Sequence, residues 1–424
     1  MNLEHSTVGF WLGDLSLQHG GVWLYARRTL HALLTKREDN WRFSLLCHAD
    51  ARTSAASLIE EFQDFAEIQL IPDAPIAKSN WRQRFRKTRG HLDASIDARA
   101  DVLAHQDYLS EWVDKLPLDL IHFPTPTPPY PAGHVPYKVP ALLRMTRPFI
   151  LTVHDVQELR FPEYFSAAQR AIRAMHHWEA LDKARKVIVS YDHVKADLIK
   201  HFALPEDKID VCPIAYQSIH LQEPTGDAIL AYELKYGKKS PYLLYPAQTW
   251  RHKNHALLLR ALRKVRERHR PDLQLICTGR RNEFYTEIER EIEALSLGDE
   301  VFFTDVVPED ELVWLYRNAA LVVIPTEYEA GSYPLLEAMM LGVPVICSNV
   351  TSLPETIEDK RFLFDPYDED ALAALIQSML TSEHLRGENM ANGLRQTKKL
   401  RSFDAAASFY KTYRSILSST NPER

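Results

Sequence analysis

Leu321-Val-Val-Ile-Pro-Thr-Glu-Tyr-Glu-Ala-Gly-Ser-Tyr-Pro-Leu-Leu-Glu-Ala-Met-Met-Leu-Gly-Val-Pro-Val-Ile-Cys347 reads as a strand, a loop, a helix and a second strand. Leu321–Ile324 and Val343–Cys347 are short apolar runs without polar alternation. Such strands are buried on both faces, as in parallel sheets covered by helices. The segment Leu335–Leu341 between them predicts a helix. Pro334 suits its first turn, where a missing N–H loses no partner. Gly342 ends the segment just before the next strand.

The same alternation extends in both directions. Candidate strands are Ser6–Trp11, Phe43–Cys47, Ile68–Ile71, Asp119–Phe123, Phe149–Thr152 and Lys186–Ser190. A second set follows at Tyr242–Tyr245, Leu273–Thr278, Glu300–Phe303, Leu321–Ile324, Val343–Cys347 and Arg361–Phe364. Helical segments lie between them at Trp23–Thr35, Ala167–Ala184, Ala256–His269, Glu283–Ala294, Glu309–Arg317 and Leu335–Leu341. Two sets of alternating strands and helices predict two doubly wound, Rossmann-like α/β domains. The first covers residues 1–216 and the second 230–401. Residues 217–229 lack apolar periodicity and contain Gln217, Ser218, Pro224, Thr225 and Gly226, so they are expected to form a linker. Phe403, Ala406, Phe409, Tyr410, Tyr413 and Leu417 recur at helical spacing. They predict a final amphipathic helix over 402–420, expected to return to the first domain. The Pro-rich stretch Phe123–Pro148 reads as a long loop beyond a strand's C-terminal end, the edge where open α/β sheets bind ligands.

The chain has 424 residues, 45% hydrophobic and 25% charged, with a net charge of -6. That is ordinary globular composition and excludes collagenous, disordered and disulfide-scaffold proteins. A mildly acidic chain also argues against non-specific nucleic-acid binding. Cys47, Cys212, Cys277 and Cys347 form no CxxC pair, and three sit in apolar runs, where a thiol acts as a small buried hydrophobe. With no apolar run of 18 residues and no basic leader, the expected location is cytoplasmic.

Several residues could carry chemistry. Ala330, Gly331 and Ser332 allow close backbone approach. The N–H groups of Ser332, Tyr333 and Leu335 at a helix start would favour a phosphate. Glu329 in the loop and Glu337, placed in the first turn, flank that position. Either both carboxylates only stabilise a helix N-terminus, or each accepts hydrogen bonds from sugar hydroxyls on either side of a diphosphate. His154 directly follows the strand Phe149–Thr152 at its C-terminal edge. Asp14, Asp155 and Asp305 are scattered and no DxD element occurs, so no metal site is expected. No GxGxxG follows the first strand, which argues against a dehydrogenase. In Trp81–Leu92, Arg82, Arg86 and Arg89 lie off the face formed by Trp81, Phe85, Thr88 and Leu92. That segment is either a solvated basic helix over a sheet edge or a surface for anionic lipid.

Glu329 to Glu337 also resembles the E-x7-E element of retaining glycosyltransferases of family 4, which have the GT-B fold. Leu335-Leu-Glu-Ala-Met339, Gly342-Val-Pro-Val-Ile346 and Leu353-Pro-Glu355 continue the likeness. So do Tyr245-Pro-Ala-Gln-Thr-Trp-Arg-His-Lys-Asn-His255, Thr152-Val-His-Asp-Val-Gln157 and Gly20-Gly21. The resemblance implies a cleft between two domains and transfer of a sugar from a nucleotide donor with retained anomeric configuration. Mannose from GDP-mannose is the implied donor, from the mannosyltransferase-like Tyr245–His255 segment. The implied acceptor is a hydroxyl of a glycan or lipid-linked glycan, and lipid contact through Trp81–Leu92 would put the enzyme at the inner face of the cell membrane.

The same resemblance gives each residue an implied role. Glu337 would bind the ribose, Glu329 the sugar hydroxyls, and the Gly331–Tyr333 backbone the sugar and diphosphate. Lys253 would neutralise the departing diphosphate, with Arg251 as a second cation. His154 would sit beside the sugar, Val306 or Val307 beside the base, and Gly20 and Gly21 in an N-terminal loop. No cofactor is implied, the donor being a substrate. The chain departs from the family where Glu329-Ala-Gly-Ser332 replaces the usual E-G-F-G, and where Ala247-Gln248 replaces an Arg. A nucleotide-sugar epimerase or phosphorylase of similar architecture, and a non-catalytic binding protein, are the alternatives.

Overall fold

In the computed structural model the described residues are 5–13, 15, 20–36, 38, 40–49, 55–71, 91–126, 140–216, 221–236 and 241–420. The chain divides into two compact units, Met1–Ser218 with Asp404–Arg424, and Ile219–Phe403.

The first unit is built on a seven-stranded sheet. Its strands are β1 (Ser6–Gly13), β2 (Trp41–His48), β3 (Glu67–Ile71), β4 (Leu120–Phe123), β5 (Phe149–Thr152), β6 (Lys186–Val189) and β7 (Ile209–Val211). All pairs are parallel, in the order β3-β2-β1-β4-β5-β6-β7. The chain winds outward from β1 to β3, then returns to β4 beside β1. That reversal is the topological switch point, where the loops on either side diverge and leave a crevice.

The second unit has a six-stranded parallel sheet of β8 (Tyr242–Pro246), β9 (Gln274–Thr278), β10 (Val301–Phe303), β11 (Leu321–Ile324), β12 (Val345–Ser348) and β13 (Leu363–Phe364). Its order is β10-β9-β8-β11-β12-β13, so its switch point lies between β8 and β11. Every residue of β8, β11 and β12 is buried, the two-sided burial expected of their apolar runs.

The helix Ala405–Thr420 belongs to the first unit. Ala406, Phe409, Tyr410, Tyr413 and Ile416 join the core of the helix Gly21–Thr35 and the strands β1 and β2. The Tyr410 hydroxyl donates to the Leu33 carbonyl at 2.7 Å.

Several elements depart from the sequence expectation. Residues 217–229 were expected to be irregular, yet a helix runs over Gly226–Tyr236. Tyr232 on that helix donates to Asp310, and Tyr236 stacks on Trp314. β7 has three residues, too few for a period to register. The helix Glu383–Ser402 is polar because buried amides replace an apolar stripe. Asn389 accepts from the Val345 N–H and donates to its carbonyl, both at 2.8 Å. Asn392 donates to the Ile357 carbonyl at 2.7 Å. Gly393 of the same helix faces Met339, whose Cγ would lie 3.0 Å from an added Cβ. The basic segment Trp81–Leu92 lies outside the described residues except for His91 and Leu92, which open the helix His91–Asp114. Residues 127–139 of the Pro-rich loop and 217–220 of the linker also lie outside them.

Each unit holds a buried neutral histidine, and the two should make the fold acid-sensitive. Burial, aided by neighbouring His154, pushes His122 down to about 3. Burial, aided by the Lys253 charge, pushes His255 down to about 3. The His255 ring lies between Tyr245 and Phe303, and its nitrogens have no hydrogen-bond partner among the described residues. The unfolded chain takes up these protons near pH 6.5 and the folded chain does not. Stability is therefore present above pH 6.5 and falls as pH drops toward 3. Going from pH 7 to pH 5 should cost about 2 kcal/mol for each of these two histidines. Urea midpoints at the two pH values test this, and unchanged midpoints would contradict it.

Candidate functional site

The two loops at the second switch point meet because β8 and β11 are parallel neighbours. After β8 the chain makes a short 3₁₀ turn, Arg251–Lys253, and Asn254 adopts φ 54° before the helix His255–Arg268. After β11 a loop leads to Ser332, which caps the helix Tyr333–Met340. The loops are stitched by backbone bonds. The Glu327 N–H donates to the His252 carbonyl at 2.8 Å. The Tyr245 hydroxyl, rising from β8, donates to the Lys253 carbonyl at 2.8 Å. Glu329 is held by Thr351, whose hydroxyl donates to the Glu329 carbonyl at 2.7 Å, and by Ser352 at 3.0 Å.

On this frame Lys253 Nζ meets Glu329 Oε2 at 2.7 Å. Both side chains are largely covered, 17% and 13% exposed. The negative charge of Glu329 is thus balanced by a cation beside it.

Glu337 lies two residues deeper in its helix than the sequence placed it. The helix begins at Tyr333, so Glu337 is in its second turn, and no acid occupies the first. It is buried, and Oε2 accepts from the Tyr316 hydroxyl at 3.0 Å. A helix-end role does not account for a carboxylate in that position. The Leu335 N–H is also not open to an anion, because the Ser332 hydroxyl accepts it at 3.4 Å. Proline at 334 has no N–H to offer. An anion at this terminus would therefore depend on the backbone of Gly331–Tyr333.

Gly279, after β9, sets the shape of the neighbouring wall. It has φ +112°, and an added Cβ would lie 2.7 Å from the Ala247 carbonyl carbon. Its N–H donates to the Asp305 carbonyl at 2.8 Å. Asp305 itself has φ 59°, and Arg281 donates to its carboxylate at 2.9 Å. Val306, next in the chain, is 74% exposed, and Val307 is half-buried. Arg251 is exposed.

The first unit gathers His154, Gly20 and Tyr25 around its own switch point. His154 Nε2 lies 2.8 Å from the Pro124 carbonyl, which can only accept, so that nitrogen carries the proton. Burial lowers its pKa against the opposing pull of Asp155 and the Pro124 bond, so the ring is neutral and Nδ1 is an acceptor. The Tyr25 ring meets His154 edge-on at 4.7 Å. Behind it, Tyr25 and His122 both bond Thr152, at 3.4 and 2.8 Å. His122 also bonds Tyr413 of the final helix at 2.8 Å. Gly20 has φ 55° and caps the helix Gly21–Thr35, whereas a side chain at Gly21 would meet nothing within 4 Å.

Among the described residues no group of three or more His, Cys, Asp and Glu is arranged to hold a metal. All four cysteines are buried, and burial pushes Cys47 and Cys212 up to about 12, so neither is a nucleophile. A groove of about 490 Å³ in the first unit, lined by Leu159, Arg170, Trp178 and Phe202 among others, contains none of the residues above.

Sequence comparison decides the family. The profile of Glycosyltransferase Family 4 matches residues 19–215, and that of Glycosyl transferases group 1 matches residues 232–398. The chain belongs to glycosyltransferase family 4. It is 30% identical over 250 residues to the O-antigen chain mannosyltransferase B of Escherichia coli. That stretch is 59% of this chain and 66% of the relative. It is 22% identical over 272 residues to the serotype-specific mannosyltransferase WbdA of Escherichia coli, covering 63% of this chain and 32% of WbdA. Two solved structures share the GT-B fold. Sucrose-phosphate synthase from Thermosynechococcus elongatus superposes with a TM-score of 0.68 at 19% identity, over 98% of this chain and 100% of that one. Anabaena HepE, in complex with UDP and glucose, gives 0.64 at 17%, also over 98% and 100%. No helix among the described residues of this glycosyltransferase is long and apolar enough to cross a membrane.

Tyr316, Thr351, Ser352, Gly279 and Tyr25 escaped the sequence reading. Each acts through a contact between distant segments. Only Gly279, a glycine directly after an apolar strand, left a local trace.

Proposed function

We propose that the protein transfers mannose from GDP-mannose to a hydroxyl of a glycan or lipid-linked glycan, with retention of anomeric configuration. The observation that carries this is Lys253 and Glu329 together at a switch point, beside a helix start with Glu337 beneath it. That arrangement suits a diphosphate with hydroxyls at both ends. Lys253 and the Gly331–Tyr333 backbone hold the diphosphate, Glu337 the ribose and Glu329 the sugar. Arg251 adds a second cation, and Val306 and Val307 border the base. The similarity to proteins named mannosyltransferases supports the choice of sugar.

In the reaction the sugar C1–phosphate oxygen bond breaks and the acceptor oxygen bonds C1 on the same face. The acceptor's proton passes to the leaving phosphate oxygen. Lys253 stabilises the charge that develops there, the kind of positioned electrostatic help that dominates such steps. That cation and the helix start can take the place of a metal ion, so transfer is metal-independent and no cofactor takes part.

The first unit binds the acceptor, with Gly20 closing its first loop and Gly21 opening the helix that follows. The segment Trp81–Leu92 offers its cations to an anionic membrane at the cytoplasmic face. Flotation with anionic vesicles, comparing the chain with its Arg82→Glu, Arg86→Glu, Arg89→Glu variant, tests that contact. Equal flotation would remove it.

Thermal unfolding with nucleotide sugars tests the donor. At a hundred times Kd, a ligand that binds only the folded state adds about 2.7 kcal/mol. That is roughly 5–10 °C for a unit of this size. GDP-mannose should give this rise with EDTA present. No rise, or a rise only with added Mg²⁺, would contradict the donor or the metal independence respectively.

A further inference from the structure

We infer that Glu329 is a built-in counter-ion of Lys253, which the donor's diphosphate displaces and which returns to expel the nucleoside diphosphate after transfer. The inference rests on the nucleotide-sugar reading of this site and adds control over its occupancy.

Three observations carry it. The pair is close, 2.7 Å, and largely covered, so it is not a screened surface contact of little consequence. The backbones on both sides are fixed, Lys253 by Tyr245 and Glu329 by Thr351 and Ser352, while Glu327 ties one loop to the other. The exchange therefore needs only side-chain rotation, with no movement of either loop. Lastly, the lysine cannot serve two anions fully. Paired with Glu329 it offers a diphosphate no net charge, and a carboxylate left in place would repel the phosphates at short range.

A preference for donor over product follows. With a complete nucleotide sugar, the released carboxylate accepts hydrogen bonds from sugar hydroxyls, which offsets the broken pair. With the bare nucleoside diphosphate it has no such partner. Glu329 then competes for Lys253 and weakens product binding. The wild type should hold GDP loosely and GDP-mannose more tightly.

Calorimetry with GDP on the full chain tests this in the wild type, Glu329→Gln, Lys253→Met and the double variant. Gln keeps the size of Glu, and thermal unfolding checks that each variant is folded. Glu329→Gln should bind GDP about tenfold more tightly than the wild type, a 1.4 kcal/mol change. In the Lys253→Met background the same change should give less than half that gain, since no cation remains to be contested. Equal gains in both backgrounds would mean simple repulsion and would overturn the exchange. GDP affinity unchanged or weakened in Glu329→Gln would overturn it too, leaving the donor site intact. A wild type that binds neither GDP nor UDP would remove the nucleotide-sugar reading beneath it.

Discussion

His154→Ala should bind GDP with wild-type affinity and lose about a hundredfold or more in kcat. His154 belongs to the first unit, whereas Lys253, Glu329 and Glu337 all belong to the second. The proposed nucleotide contacts are therefore intact in the variant. The ring is neutral, its Nε2–H is spent on the Pro124 carbonyl, and the Tyr25 edge fixes its plane. Under the proposed function Nδ1 would accept from a hydroxyl of the transferred sugar. An interaction strongest in the transition state lowers kcat when removed and leaves ground-state binding nearly intact. Removing one such positioned group commonly costs on the order of a hundredfold. Because burial lowers the ring's pKa, any His154 step in the kcat profile should fall below the ordinary histidine value near 6.5. Calorimetry and initial rates on the same folded protein decide the matter. A wild-type kcat would make His154 structural, and a large loss of GDP affinity would place it at the wrong end of the donor.

Glu337→Ala should weaken GDP binding tenfold to a hundredfold. The carboxylate is buried in the second turn of Tyr333–Met340, with one oxygen anchored by Tyr316. Losing a charged acceptor for a hydroxyl costs roughly 1.5–3 kcal/mol. Tyr316→Phe, which removes only the anchor, should cost less. Unchanged GDP affinity in a folded Glu337→Ala protein would refute the ribose contact. Loss of affinity for GDP but not for 2′,3′-dideoxy-GDP would locate the contact on the ribose itself.

The strands were the most legible part of the fold because parallel strands buried on both faces need continuous apolar runs. Leu321–Ile324 and Phe149–Thr152 could be read as written. Of the elements missed, the helices Asp192–Phe202 and Glu369–Thr381 bury ordinary apolar side chains, whereas two others show no apolar stripe. Glu383–Ser402 packs through buried amides and Gly393, and Ile209–Val211 is too short to show a period. In the site, Glu329 and Glu337 were visible as a local pair, but their surroundings were not. Lys253 and Glu329 are far apart in the chain, and nothing in either segment announces the other. Their contact exists because β8 and β11 are neighbours at the strand-order reversal. The depth of Glu337 depended on the helix starting at Tyr333 rather than Leu335, a shift within the ordinary uncertainty of helix ends.

Proton NMR of the product formed from GDP-mannose and a mannose-terminated acceptor tests the proposed chemistry most directly. The donor's mannose is α-linked to phosphate, so transfer with retention must give an α-linked product. The proposed function predicts GDP release in step with a new α-mannosyl signal, with EDTA present throughout. A β-mannosyl product, or GDP-mannose left intact beside UDP-sugars that are consumed, would contradict it.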